Sequence, residues 1–475
     1  MGALCKVVRS SSFRSLSWAG VSAALALGWA VAGGLGCSAA ESDGVEPGNG
    51  GNKIGSGAGG STGSGGAQTK SGGSTGTSGG SAGSSSGGAG SGGTGSGGST
   101  GSGGAGDNDG GQGGSAAPDG GGGDASGAGG GGGAPSNGTH AKMIKLDTTA
   151  AGANVMGDVP KYPVAILLDG SNFDFSQAKP KGEDIRFASA EGAALPYTIE
   201  SWDAAGKAAA IWVKVDVKGN STQMIKMSWG DAAASDGSSP QVVFDTKEGF
   251  TGVWHLSDPG GTTPDGYKDS TANAAHATGV ATTAQSSGPG RIGKAALLAA
   301  ANKQWIQVSL EKSKLYDMPN KMTYSIWSFA KSHTVDYQCM FSKGEKSFRI
   351  HYFGRSTTVE TCAESGSGQN DLCPVNPGGT KVVNGQWFHL LAVHDFPKHA
   401  IYINGVLQKE VSEKGTFVSD PTMPVMIGNN GSNTSRAFDG FLDEARLMDV
   451  PKDANWIKLE FESQKEGQKF SAILN

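Results

Sequence analysis

Beyond residue 142 the chain falls into short apolar or alternating runs separated by turn-forming residues; before it there is no such pattern. Runs at 162–168, 184–188, 197–202, 209–217 and 223–229 are broken by Asp169-Gly170, Glu191-Gly192, Ala205-Gly206 and Gly219-Asn220. A period of two marks strands with one buried face, and several at regular spacing predict an antiparallel β-sandwich over 143–245. A second set, at 252–256, 305–308, 322–330, 339–342, 348–353, 387–394, 400–403, 424–427 and 440–447, predicts a two-sheet jelly roll over 248–470. In Met322-Thr323-Tyr324-Ser325-Ile326-Trp327-Ser328-Phe329 every second residue falls on one face. Asn404-Gly405, between apolar strands, is a two-residue hairpin turn in which both residues take positive φ. Trp254, Trp327 and Trp387 are expected to fill the space between the sheets. Only 453–464 reads as a helix. The folded part is therefore all-β, in two domains.

The segment before 143 reads differently. Most of the excess among the 81 glycines lies there, in stretches such as Gly-Ser-Gly-Gly-Ser-Thr-Gly. Such a composition cannot bury enough apolar area to offset its ordering entropy, so residues 38–142 are expected to be a disordered Gly/Ser tether. Residues 46–137 as a flexible coil span about 50 Å root-mean-square. Residues 1–37 form a signal segment: Lys6, Arg9 and Arg14, an uncharged run from Leu16 to Leu35, then Gly36-Cys37. A plain cleaved signal and an uncleaved anchor are the other readings of this segment, and all three export the remainder of the chain.

Charge excludes one class of partner. The formal net charge is −5 with no Lys/Arg cluster, so no phosphate-neutralising footprint exists and nucleic acid is not expected as a ligand. Five cysteines are present. Cys5 leaves with the leader, Cys362 and Cys373 bracket a short polar loop and are expected to form a disulfide in an oxidising compartment, and Cys339 is left as a buried thiol. A pairing of Cys339 with either of the other two remains the alternative.

Candidate chemistry is sparse. Asp184 and Arg186, two apart on one strand, are expected to face the same way as an ion pair rather than to catalyse. Retaining glycoside hydrolysis needs two carboxyl groups about 5–5.5 Å apart. Asp443 and Glu444 are neighbours, and alternation sends them to opposite faces. His-Glu-x-x-His, a strand-borne Gly-x-Ser-x-Gly and a phosphate loop with its Lys are all missing.

Three resemblances add to this reading. Gly33 to Cys37 resembles a bacterial lipobox, although Gly34 stands where that pattern prefers Leu; it implies lipid attachment at Cys37, and Ser38, not being Asp, implies an outer-membrane destination. The order Asp184-Ile185-Arg186-Phe187, Leu195-Pro196-Tyr197, Ile199-Glu200, Trp212-Val213-Lys214-Val215 and Trp229-Gly230-Asp231 resembles a bacterial family known as domain of unknown function 2341. Its members are exported modules beside other β-domains; a channel role claimed for some of them does not transfer to this chain. Val253-Trp254-His255-Leu256, Asp269-Ser270-Thr271-Ala272-Asn273, Tyr324-Ser325-Ile326-Trp327, Gln386-Trp387-Phe388-His389-Leu390, Tyr402-Ile403-Asn404-Gly405 and Phe441-Leu442-Asp443-Glu444-Ala445-Arg446 resemble, in order, the laminin-G-like, concanavalin A-type lectin/glucanase fold. That likeness implies a structural Ca2+ held by Asp443 with Asp269 and Asn273, since calcium takes several oxygen ligands. The glucanase branch carries a Glu-x-Asp-x-x-Glu strand, which does not occur after residue 248.

The function expected from all this is a surface-tethered, non-enzymatic binding protein. Its partner is a glycan, recognised by the jelly roll through the loops around Tyr352 and Asn370. A protein-binding adhesion module and an uncharacterised polysaccharide hydrolase are the rivals.

Overall fold

The computed structural model describes residues 138–258, 261–281, 285–317, 320–364, 373–374, 379–412 and 417–474. Cys37 and Asn370 lie outside them, as do the leader and nearly all of the tether. Among the described residues no helix is long and apolar enough to cross a membrane.

The first module is two antiparallel sheets face to face. In one, the strands run in the order Ser471–Ile473, His140–Asp147, Thr222–Trp229, Arg186–Ser189, Ala194–Leu195; in the other, Val159–Asp169, Ala208–Val217, Tyr197–Asp203. Alternation supplies the shared core: Ile144, Leu146, Phe187, Ile225 and Met227 from one sheet meet Val164, Ile166, Ile211 and Val213 from the other. Two expected boundaries shift. His140–Asp147 is a full strand in register with Thr222–Trp229, so the folded part begins inside what composition assigned to the tether. The chain end also returns: Ser471–Ile473 pairs with the same strand on its other side, beyond the 470 limit of the jelly roll.

In the second module an eight-stranded and a six-stranded sheet enclose Trp254, Tyr324, Ile326, Leu390, Leu442 and Leu447 from one side, and Ile306, Met340, Phe341, Ile350 and Ile427 from the other. The eight-stranded sheet contains the adjacent strands Gly440–Met448, Lys321–Ala330 and Trp387–Asp395. Its other face docks on the first module. Phe250, Val253, Leu391, Val393 and Met448 share one apolar cluster with Trp212 and Phe244, and with Trp456, Ile457 and Leu459 of the helix Ala454–Gln464. Trp254 lies between the sheets as expected. Trp327 and Trp387 do not: they stand at positions whose parity points away from Tyr324 and Ile326, on the outward face.

Charged groups are buried in this junction, and two β-bulges aim them. The register of Tyr197–Asp203 against its neighbour slips between Ile199 and Ser201, which leaves Glu200 as the extra residue. The register of Gly440–Met448 slips opposite Ser325/Trp327, with Glu444 at φ +50°. A bulge turns a side chain out of strict alternation. Asp443 and Glu444 therefore do not point to opposite faces as neighbours on a regular strand would; Leu442 and Ala445 face the inter-sheet core, and both carboxylates turn toward the junction. There His255 Nδ1 lies 2.8 Å from Glu444 Oε1 and 3.5 Å from Glu200 Oε2. Trp212 Nε1 donates to Glu200 Oε2 at 2.7 Å. Arg446 donates to Glu444 Oε2 at 2.7 Å and to Glu460 Oε1 at 3.2 Å, its guanidinium 4.6 Å from the Trp212 ring centroid. Burial pushes the Glu200 carboxyl up to about 7 against the pull of His255. Burial alone would raise Glu444 as well, but His255 and Arg446 outweigh it and hold that carboxyl low. Asp443 is pushed well up by burial and by Glu444.

Candidate functional site

The outward face of the eight-stranded sheet is only partly covered. The C-terminal helix lies over Trp327 and His389: Trp327 Nε1 donates to Gln464 Oε1 at 2.7 Å, its ring stacks on Phe461 at 5.8 Å, and His389 Nε2 sits 3.3 Å from Glu460 Oε2. Two residues on from Trp327 or back from His389, the covering ends. Phe329, Trp387 and Phe441, paired across three neighbouring strands, form a half-exposed aromatic cluster. Their ring centroids are 5.6, 5.9 and 6.4 Å apart, and Lys331 Nζ lies 5.1 Å from the Phe441 ring.

A cavity of about 450 Å³ opens beside this cluster, lined by Trp327, Phe329, Trp387 and Phe461 together with Arg291, Gln386, Asn404 and Glu466. Its polar rim is held in place. Asn404 and Gly405, at φ +52° and +73°, form the expected hairpin turn, and Asn404 Oδ1 accepts from His389 N at 2.9 Å. The Arg291 guanidinium is 5.9 Å from the Trp327 ring and 3.6 Å from Glu466 Oε2. Arg291 and Glu466 also border a second cavity of about 390 Å³ toward Asn172 and Gln468. Aromatic faces offer large apolar area with little rotamer entropy, and planar amide, guanidinium and carboxylate groups supply directional hydrogen bonds. The combination suits a ligand with one apolar face and many hydroxyls.

The residues singled out from sequence go elsewhere. Tyr352 is completely buried, its ring 4.0 Å from that of His333, because its strand parity turns it into the inter-sheet core. Asp269 anchors a loop: Oδ1 accepts from Val253 N and Thr271 N, and Oδ2 from Thr271 Oγ1 and Ala275 N. Asn273 Nδ2 donates to Thr251 O. Asp443 Oδ2 accepts instead from Arg291 N at 2.6 Å and Ile292 N at 3.0 Å, so none of its partners is shared with Asp269. Asp184 and Arg186 make no ion pair: Asp184 accepts from the Lys179 and Gly230 backbone, and Arg186 donates to Tyr197 Oη and three carbonyls. Cys362 and Cys373 are bonded, and Cys339 is free and buried, its thiol pushed up to about 12 by burial.

The half-exposed rings escaped the sequence reading because alternation sorts residues into two faces without saying which face is covered. The signal available was the shared parity of Trp327 and Phe329.

Residues 301–458 match the family model of the concanavalin A-like lectin/glucanases superfamily. That defines the second module as a concanavalin A-like domain. Residues 181–257 match the domain of unknown function DUF2341, which precedes it in the chain as the sequence motifs require. No curated protein matches the chain. Among solved structures, domain 4 of AbnA, a GH43 extracellular arabinanase from Geobacillus stearothermophilus in complex with arabinotriose, is similar at 20% identity and a TM-score of 0.36, over 44% of this chain and 97% of that one. The binding domain of Paraclostridial Mosquitocidal Protein 1 is similar at 15% identity and 0.36, over 46% of this chain and 52% of that one. The CBM40 of the Ruminococcus gnavus IT-sialidase, bound to α2,3-sialyllactose, is similar at 11% identity and 0.27, over 30% of this chain and 84% of that one. Likenesses this low say nothing about ligand.

Proposed function

We propose that the protein is a non-enzymatic glycan-binding module displayed at the cell surface, and that the cluster of Phe329, Trp387 and Phe441 with its adjoining cavity takes the sugar. One observation carries this reading: of three half-exposed rings on three adjacent strands, Phe329 and Trp387 line a cavity rimmed by Arg291, Gln386, Asn404 and Glu466, and Phe441 packs beside them. A pyranose would lay its C–H face on Trp387 while its hydroxyls meet that rim. The carboxylates that do converge, Glu200 and Glu444, support binding over hydrolysis, because their side chains are only 2% and 1% exposed and no polysaccharide reaches them.

Affinity electrophoresis of the head against a polysaccharide panel tests this. Trp387→Ala is expected to weaken retention at least about tenfold, or about 1.4 kcal/mol, while a cooperative melt is retained. Equal retention by wild type and variant, or retention that free sugar does not release, would move the function to the protein-adhesion alternative.

In this reading the leader and tether serve display: lipid on Cys37 holds the chain in the outer membrane, and the Gly/Ser coil lets the head search for multivalent ligand. Labelled fatty acid is expected to appear in the wild-type chain and to vanish in Cys37→Ala, with the variant moving from the membrane fraction to the soluble one. Membrane retention of the unlabelled variant would point to an uncleaved anchor instead.

A further inference from the structure

We propose that Glu200, His255 and Glu444 form a site for one transition-metal dication of the zinc class, which ties the first module to the concanavalin A-like domain. The three atoms that would hold it, Glu200 Oε2, His255 Nδ1 and Glu444 Oε1, lie within 4.8 Å of one another, two of the separations being 2.8 and 3.5 Å. Ligands about 2.0–2.2 Å from a tetrahedral zinc stand about 3.3–3.6 Å apart, so the His255–Glu200 pair is already at ligand spacing and the hydrogen-bonded His255–Glu444 pair would open by about 0.5–0.8 Å on taking the ion. One nitrogen with two carboxylate oxygens favours zinc, cobalt or nickel over calcium, which takes six to eight oxygens.

Two further observations point to a ligand. The Glu200 side chain is 2% exposed and its Oε1 has no hydrogen-bond partner among the described residues, a cost that a hold on the ion through both carboxylate oxygens would relieve. Carboxylate is also in excess at the cluster itself: Glu200 and Glu444 both close on the one His255 nitrogen, with Arg446 on the other oxygen of Glu444. Part of the surrounding shell is already built, on the two carboxylates. Trp212 Nε1 orients Glu200, and Arg446 holds the other oxygen of Glu444 at 2.7 Å, as outer-shell groups do around a bound metal.

The ligands come from both modules, and both carboxylates sit on bulges, so the site exists only when the modules are joined. The other cluster of this kind, His351 with Glu360 and Cys362, is excluded because the Cys362 sulfur is in a disulfide.

The mature chain, refolded with Co2+ and then dialysed, tests the proposal. It is expected to retain one equivalent and to show the visible absorption of low-coordinate cobalt, while Glu200→Gln, which keeps an acceptor for Trp212, binds at least about a hundredfold more weakly, at or beyond the upper end of what outer-shell changes cost. X-ray absorption on the wild type provides the second readout and does not depend on the variant folding: a shell of nitrogen and oxygen is expected. No retained cobalt or zinc, a sulfur-containing shell, undiminished binding in a cooperatively melting Glu200→Gln, or a melting temperature raised by Ca2+ but not by Zn2+ would each overturn it.

Discussion

Arg446→Ala is expected to destabilise the folded protein by about 3–5 kcal/mol, read as a shift of the urea midpoint followed by tryptophan fluorescence. Arg446 is fully buried and donates to Glu444 and Glu460, whose side chains are themselves 1% exposed. Its removal leaves two carboxylates in a dry junction with their main cation gone, and this uncompensated charge is what makes breaking a buried pair expensive. The Trp212 and Phe244 rings under the guanidinium also lose their cation. Arg446→Met, which keeps the volume but not the charge, should be nearly as damaging, because the cost arises from the anions left behind. A loss below about 1 kcal/mol in both variants would mean that Glu444 and Glu460 carry protons or find other donors.

The second large effect is expected from ending the chain at Val450. This removes the helix Ala454–Gln464 and the strand Ser471–Ile473. Trp456, Ile457, Leu459 and Phe470 are buried in the cluster shared by the two modules. At about 1.5–3 kcal/mol each, their lost burial amounts to about 6–12 kcal/mol, comparable with the whole stability of an ordinary domain at about 5–15 kcal/mol. Truncation also uncovers Trp327, removes Ser463 from Tyr162 Oη and opens the edge of His140–Asp147 to pairing with other chains. The shortened protein should be insoluble or lack a cooperative melt. A sharp transition near the wild-type temperature would show instead that the two modules fold without their shared closure.

Much of the architecture is legible in the residues because strands advertise themselves by period. Ile225 and Met227 alternate with polar positions, as do Tyr324 and Ile326 with theirs, and each set lands in a sheet core. The Asn404-Gly405 turn is legible for a different reason: few residue pairs accept two successive positive φ angles. The site was less accessible. Trp327, Trp387 and Tyr352 were misassigned to core or surface because each strand of a sandwich has two faces, and the identity of the covered one depends on which element packs on it. For Trp327 that element is a helix more than a hundred residues away in sequence.

Bulges escape a reading by period altogether. Nothing in Ile199-Glu200-Ser201 or Asp443-Glu444-Ala445 announces an extra residue, because the bulge is a property of the pairing with the neighbouring strand and not of the run itself. The expectation that Asp443 and Glu444 diverge was sound for a regular strand and failed for this reason.

By itself, the sequence determined the all-β class, the order of the two modules and the place of the turns, since these arise from local periodicity and backbone preference. Only the tertiary structure decided that the chain end closes the first module, that two glutamates from different modules meet His255, and that Phe329, Trp387 and Phe441 remain half-exposed. Those outcomes depend on long-range pairing and on which apolar face finds cover, and neither is encoded within any one segment.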